Sequence, residues 1–278
     1  MALTSGEIAR ATLEMGERKA RLGVAQTLVL GILAGMYIAL GALFYTIVTT
    51  APALGFGPTR LLGGLVFSLG LILVVIAGAE LFTGNNLIIV ATLAGRVSLG
   101  RLLRNWALVY LGNFIGSLLV AILVWGSGVW RFSGAGVGSH MVEIAAAKAA
   151  LPAVEAFTRA IFCNLLVCLA VWMALGAESV AGKILAIVFP ITAFVAMGFE
   201  HSVANMYFIP MGLCLKGQAE IQALAAEGLT WAGFFHNLGW VTLGNIIGGG
   251  LLVGALYFLV WLRRPSTKRT AAVSRSRE

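Results

Sequence analysis

Apolar residues run along this chain in long stretches, without the one-sided periodicity of a soluble helix. Charge-free runs cover 22–59, 61–79, 105–130, 160–177 and 228–262. Each can supply the ~20 residues that a helix needs to cross about 30 Å of hydrocarbon. Stretches 61–95 and 184–215 are equally apolar, but each is interrupted by one acidic residue, Glu80 and Glu200. The pattern predicts six membrane-spanning helices near 27–50, 60–95, 105–127, 157–177, 184–215 and 235–262, of which the second and fifth are broken.

The interruptions repeat. Gly78, Glu80 and Asn85 return 120 positions later as Gly198, Glu200 and Asn205, in a shared Gly-x-Glu-x-x-x-x-Asn pattern. Each copy is followed by two asparagines eight apart, Asn105 and Asn113 in one half, Asn237 and Asn245 in the other. Three spans per half is an odd number, so the second half must enter the membrane upside down. The expected fold is therefore an all-α polytopic membrane protein, an inverted 3+3 repeat of six transmembrane helices. Its expected divisions are an N-terminal cytoplasmic helix (1–25), a first repeat (26–130), a connecting loop (131–154), a second repeat (155–264) and a disordered cytoplasmic tail (265–278). A capping box, Thr4-x-x-Glu7, starts the first of these.

Composition agrees with a membrane protein, at 60% hydrophobic and 11% charged. The formal charge of +8 could point to nucleic acid, but its placement argues otherwise. With both ends inside, 14 of the 19 Lys and Arg residues fall on the inner segments. That is the positive-inside bias, so the chain is expected in the cytoplasmic membrane with both termini cytoplasmic and no nucleic-acid partner. The first apolar run is too long for a signal peptide and has no small-residue cleavage site. Cys163, Cys168 and Cys214 lie in or beside spans without metal spacing, which predicts packing roles and no metal or cofactor.

A break inside a span frees backbone groups that cannot face lipid. Two half-helices starting at such breaks turn positive ends to the centre and favour an anion there. Because both copies keep the glutamate while their neighbours differ, Glu80 and Glu200 are expected to structure the loops. The differing neighbours, Thr83 and His201, are the better candidates for substrate contact. His201 is the only histidine expected at mid-membrane, with an imidazole suited to proton exchange near neutral pH. Gly112-x-x-x-Gly116 and Gly244-x-x-x-Gly248 predict close helix packing. Trp125, Trp130, Trp240 and Trp261 are expected as interfacial anchors.

Gly78-Ala-Glu-Leu-Phe-Thr-Gly-Asn-Asn and Gly198-Phe-Glu-His-Ser-Val-Ala-Asn-Met resemble the two signature segments of the formate/nitrite transporter family. The similarity extends from the first span to Arg264 and is closest to the formate-channel branch, as in Leu243-Gly-Asn-Ile-Ile-Gly-Gly-Gly-Leu-Leu-Val-Gly. The resemblance implies an aquaporin-like protomer in a homopentamer, each protomer passing small monovalent anions such as formate, nitrite or hydrosulfide, often with a proton. It places the central histidine at His201, the facing threonine at Thr83, the vestibule lysine at Lys148, and pore asparagines at Asn164, Asn205 and Asn245. It draws two apolar constrictions from Phe67, Phe194, Leu71, Leu81 and Val167.

The expected mechanism follows from solvation. A bare anion stalls at an apolar ring, whereas its neutral acid does not. Lys148 would draw the anion in, and His201, steadied by Thr83 and Asn205, would sit where proton exchange occurs. Nitrite or hydrosulfide is the rival substrate. A neutral-solute channel would have no use for Lys148 and His201. An intramembrane hydrolase using Ser202 is remote, because adjacent residues on one turn rarely form a nucleophile–base pair and no Gly-x-Ser-x-Gly elbow occurs.

Overall fold

A computed structural model describes residues 3–221 and 228–263. Among them the chain is helical throughout, without strands. The capping box forms: the Thr4 side chain accepts from the Glu7 amide, and Glu7 reaches back to the Thr4 amide, opening α1 (Ser5–Ala20). The Thr4 hydroxyl, and after it the Thr4 amide, donate to the Glu7 carboxylate and lower its pKa from the ordinary value. Helix α2 (Val24–Thr49) is followed by α3 (Phe56–Gly78) and a shorter α4 (Phe82–Leu93), then by α5 (Leu99–Ser127).

Next comes α6 (Gly136–Ala149), which lies inside the expected connecting loop 131–154. That segment is mostly helix because its alanine-rich run buries a face, with Val137, Met141, Val142, Ala145, Ala146 and Ala149 packed inward. The remaining elements are α7 (Ala153–Gly176), α8 (Val180–Ala196), α9 (Ser202–Leu215) and α10 (Trp231–Trp261). Five of these helices are long and apolar enough to cross a membrane, namely α2, α3, α5, α7 and α10. The expected tail 265–278 lies outside the described residues.

The two interruptions fall where the repeated motif sits. Helix α3 ends at Gly78 with φ 83°, and α8 is followed by Gly198 with φ 75°. Both are left-handed conformations that a side chain resists and glycine adopts freely. Beyond each glycine the chain is extended, at Ala79 and Leu81 in one copy and at His201 in the other. Shorter departures occur at the end of α3 and in the middle of α10, where residues 74–78 and 246–255 take wider π turns. The sequence pattern gave no hint of the second.

Small residues set the helix crossings. A Cβ at Gly116 would strike the Ile32 carbonyl oxygen on α2, and one at Gly248 would strike the Ile161 carbonyl oxygen on α7. The pairs α2–α5 and α7–α10 thus approach backbone to backbone, and dispersion in that contact replaces the hydrophobic drive that lipid cannot supply. Trp130, expected at an interface, is instead buried and donates its indole N–H to the Trp125 carbonyl at 3.1 Å. Cys163 and Cys168 are buried free thiols, and Cys214 is exposed.

Overpacking these crossings should be costly. Gly116→Leu or Gly248→Leu is expected to destabilise the detergent-solubilised protein by about 3 kcal/mol or more, since backbone must shift. Gly100→Ala, with nothing within 4 Å of its Cβ, should change stability by less than about 1 kcal/mol. Thermal unfolding of the three variants checks the contrast.

Candidate functional site

The extended residues of each break need hydrogen-bond partners away from water, and one asparagine supplies them in each copy. Asn113 on α5 accepts from the Phe82 amide at 2.9 Å and donates to the Glu80 carbonyl at 2.9 Å and the Gly31 carbonyl at 2.8 Å. Asn245 on α10 accepts from the Ser202 amide at 2.9 Å and donates to the Glu200 carbonyl at 3.0 Å and the Ala160 carbonyl at 2.9 Å. Each side-chain amide serves as a piece of neighbouring strand. The Glu80 and Glu200 amides complete the pattern by donating to Leu30 and Arg159 carbonyls.

The carboxylates are held by a second, equally repeated set. Glu80 accepts from Lys19 Nζ at 2.6 Å and from Asn85 Nδ2 at 2.7 Å. Asn85 also donates to Asn105, and Asn105 donates to the Lys19 carbonyl. Glu200 accepts from Lys148 Nζ at 2.8 Å and from Asn205 Nδ2 at 2.6 Å. Asn205 then donates to Asn237, and Asn237 to the Lys148 carbonyl. Lys19, on α1, is thus the counterpart of Lys148, on α6. One difference separates them: Lys19 also donates to Asn85 Oδ1 at 3.0 Å, whereas Asn205 Oδ1 has no partner among the described residues.

Thr83 and His201 meet, Oγ1 to Nε2, at 2.9 Å. His201 is the N-cap of α9, its Nδ1 accepting the Ala204 amide at 3.1 Å. Nδ1 therefore carries no hydrogen, and Nε2–H donates to the threonine hydroxyl. Since Thr83 lies in the first turn of α4, the two half-helix starts face each other. Asn205, expected to steady His201, bonds elsewhere as described above. Phe194 stacks on the imidazole at 6.0 Å and meets Phe67 edge-on at 5.7 Å.

Two cavities approach this centre. One, of about 420 Å³, is lined by Arg18, Lys19, Lys183, Glu80, Leu71 and Leu81 among others. The other, of about 300 Å³, is lined by Arg60, Lys148, Arg159, His201, Phe67 and Phe194 among others. Helix α2 gives Leu30 to the first and Tyr45 to the second, roughly 22 Å apart at about 1.5 Å per residue. On α3, Phe67 faces the Lys148 cavity and Leu71 the Lys19 cavity. The barrier between them is therefore about 6 Å thick along that helix, one turn.

Not every expected pore residue lines this path. Asn164, Asn205 and Asn245 are fully buried and border neither cavity. Asn164 donates to the carbonyls of Thr83 and Asn245 and to Asn86 Oδ1, Asn245 serves backbone groups, and Asn205 ties the Glu200 carboxylate to Asn237. Val167 is buried in the same apolar cluster as Leu71, Leu81, Phe67 and Phe194 but also borders neither cavity. Sequence reasoning missed Lys19 and the Asn113 tie. Lys19 precedes Lys148 by 129 positions while Glu80 precedes Glu200 by 120, so a single offset does not pair them.

Two cationic cavities meeting at a closed apolar waist, each roofed by a broken helix, define a membrane transport protein. The profile of the family "Formate/nitrite transporter" matches residues 6–259, and the chain belongs to that family. It is 41% identical over 271 residues to "Formate channel FocA" of Escherichia coli (strain K12), covering 94% of this chain and 95% of that one. It is 44% identical over 234 residues to "Formate channel FocA" of Haemophilus influenzae (strain ATCC 51907 / DSM 11121 / KW20 / Rd), covering 81% and 82%. A solved structure, "Pentameric formate channel with formate bound", superposes with a TM-score of 0.81 at 41% identity, covering 86% of this chain and 98% of that one.

The Lys19–Glu80 pair is largely buried, with side chains 20% and 7% exposed. Removing one partner leaves a charge without compensation. Lys19→Met is expected to lower stability by about 3 kcal/mol, and Lys19→Met with Glu80→Gln to recover part of that loss. A double-mutant cycle on thermal unfolding measures both.

Proposed function

We propose that this protein is a channel for small monovalent anions, formate foremost, in which the ion crosses the waist as its neutral acid. The observation that carries the reading is the Thr83–His201 contact at 2.9 Å, set between two cavities whose apolar barrier is thin. The relatives at 41% and 44% identity, both formate channels, support the choice of ion. Nitrite and hydrosulfide are the alternatives within the family.

Solvation sets the order of events. Lys148 spends one ammonium hydrogen on Glu200 and sits 5.4 Å from the centre of the Phe208 ring, leaving donors for an anion in the cavity. The anion is drawn in by Lys148 and the cations of the rim, then meets Phe67 and Phe194. Crossing that ring with its charge would cost many kcal/mol of hydration, and a proton cancels the cost. The anion can take that proton from the bulk through the water of the cavity, at whose end His201 Nε2–H is held by the Thr83 hydroxyl. Leu71 and Leu81 line the far side, where the acid ionises near Lys19. Glu80 and Glu200 act by holding the lysines and loops in place.

The repeated bonding also supports an inverted repeat larger than three spans. In this reading α1 to α5 and α6 to α10 are equivalent units, each opening with a helix that ends near its lysine. With the positive-inside bias, the Lys19 cavity opens to the cytoplasm and both termini lie there, in the inner membrane. The pentameric relative at TM-score 0.81 supports a homopentamer.

In liposomes, His201→Phe is expected to abolish formate flux coupled to proton movement. Unchanged coupled flux would remove the imidazole from the mechanism. Lys148→Ala should weaken formate uptake several-fold at low concentration and little at saturation, because attraction is its task. An equal loss at every concentration would point to damaged folding instead.

A further inference from the structure

Next to the Lys148 cavity lies a third one, of about 440 Å³, whose lining includes Thr49, Thr50, Thr59, Ser139, His140 and Glu143. Tyr45 and Arg60 line both, so they form a partition between this cavity and the Lys148 cavity. The two are joined, Arg60 Nη1 donating to the Tyr45 hydroxyl at 3.4 Å. Arg60 is anchored on its other edge, Nε donating to the Ala196 carbonyl and Nη2 to the Val195 carbonyl, both at 2.9 Å. These carbonyls end α8, so the guanidinium is held by the backbone just before the Gly198 turn.

One property distinguishes Arg60 from the other cations of the Lys148 cavity. Lys148 is paired with Glu200, and Arg159 with Glu155. Arg60 has no carboxylate partner among the described residues, since Glu143 faces His140 at 3.3 Å. Its charge is therefore the one left uncompensated at the partition. A guanidinium also carries five N–H donors in a planar fork. With three engaged, one N–H remains on each terminal nitrogen, and Tyr45, which accepts from Arg60, still has its own hydrogen to donate.

We propose that Arg60, with Tyr45, is a selectivity station that binds small planar anions bearing two oxygens, of the carboxylate or nitrite type, before they reach Lys148. Two fixed N–H groups match two oxygens of one anion, and a monatomic anion can use only part of that geometry. A lysine at the same place would keep the charge and lose the fork. The inference rests on the channel reading above and adds to it where the choice between anions is made.

The test uses the full-length protein in liposomes, with formate flux measured from low to saturating concentration and chloride as competitor. For Arg60→Lys the half-saturating formate concentration should rise roughly tenfold, with maximal flux within about twofold and the chloride inhibition constant unchanged. Tyr45→Phe, which leaves both carbonyl bonds of Arg60 intact, should shift formate in the same direction by less. An unaltered half-saturation in both variants, or formate and chloride shifting together, overturns the proposal. Should Arg60→Lys lose all flux because the end of α8 is disturbed, Tyr45→Phe decides by the same criterion. A wild-type protein that passes no formate would instead remove the channel reading itself, and this one with it.

Discussion

Extended peptide in the middle of a membrane must find hydrogen bonds inside the protein, and the rest of this structure depends on how that demand is met. Each unpaired amide or carbonyl would cost several kcal/mol in hydrocarbon. Asn113 and Asn245 satisfy both an amide and a carbonyl of the break opposite them. With the breaks fixed, Thr83 and His201 come within 2.9 Å of each other, and the lysine–glutamate pairs can stand a few residues away. The polar centre is thus built from groups whose first duty is to backbone.

The two halves use this plan with unequal tightness. Lys19 is tied to both Glu80 and Asn85, while Lys148 is tied to Glu200 alone and leaves Asn205 Oδ1 open. Lys19 arrives on a helix at the amino-terminal end, and Lys148 on a helix between two long ones. Similar chemistry therefore faces each cavity with different freedom of movement. The third cavity and the Arg60–Tyr45 partition adjoin the Lys148 side, which deepens the difference.

Much of this was legible in the sequence for simple reasons. Length of apolar run picked out the five long apolar helices, and a glutamate within such a run marked each break, because hydrocarbon tolerates neither charge nor free backbone without compensation. Thr83 and His201 stood out as polar positions without a counterpart in the other copy, where Val203 and Leu81 stand. Helix α6 was hidden, since an alanine-rich stretch between membrane spans reads as a loop when only hydropathy is counted. The asparagines were legible as important but their partners were not: nothing in residue type says whether an amide faces a pore or a carbonyl. Lys19 and Arg60 were visible only as charges to be tallied by side, for the Lys19 carboxylate lies 61 positions away and the carbonyls that anchor Arg60 lie 135 and 136 away.

The thinness of the waist has an electrical consequence. Where wet, conducting cavities reach toward each other from both faces, most of an applied voltage falls across the dielectric remaining between them. Here that remainder is about one helical turn between Phe67 and Leu71. A bare ion in that gap would feel nearly the whole potential, about 2.3 kcal/mol per 100 mV, and a neutral molecule none of it. The steepness of current against voltage therefore reads out the charge state of whatever is passing the ring.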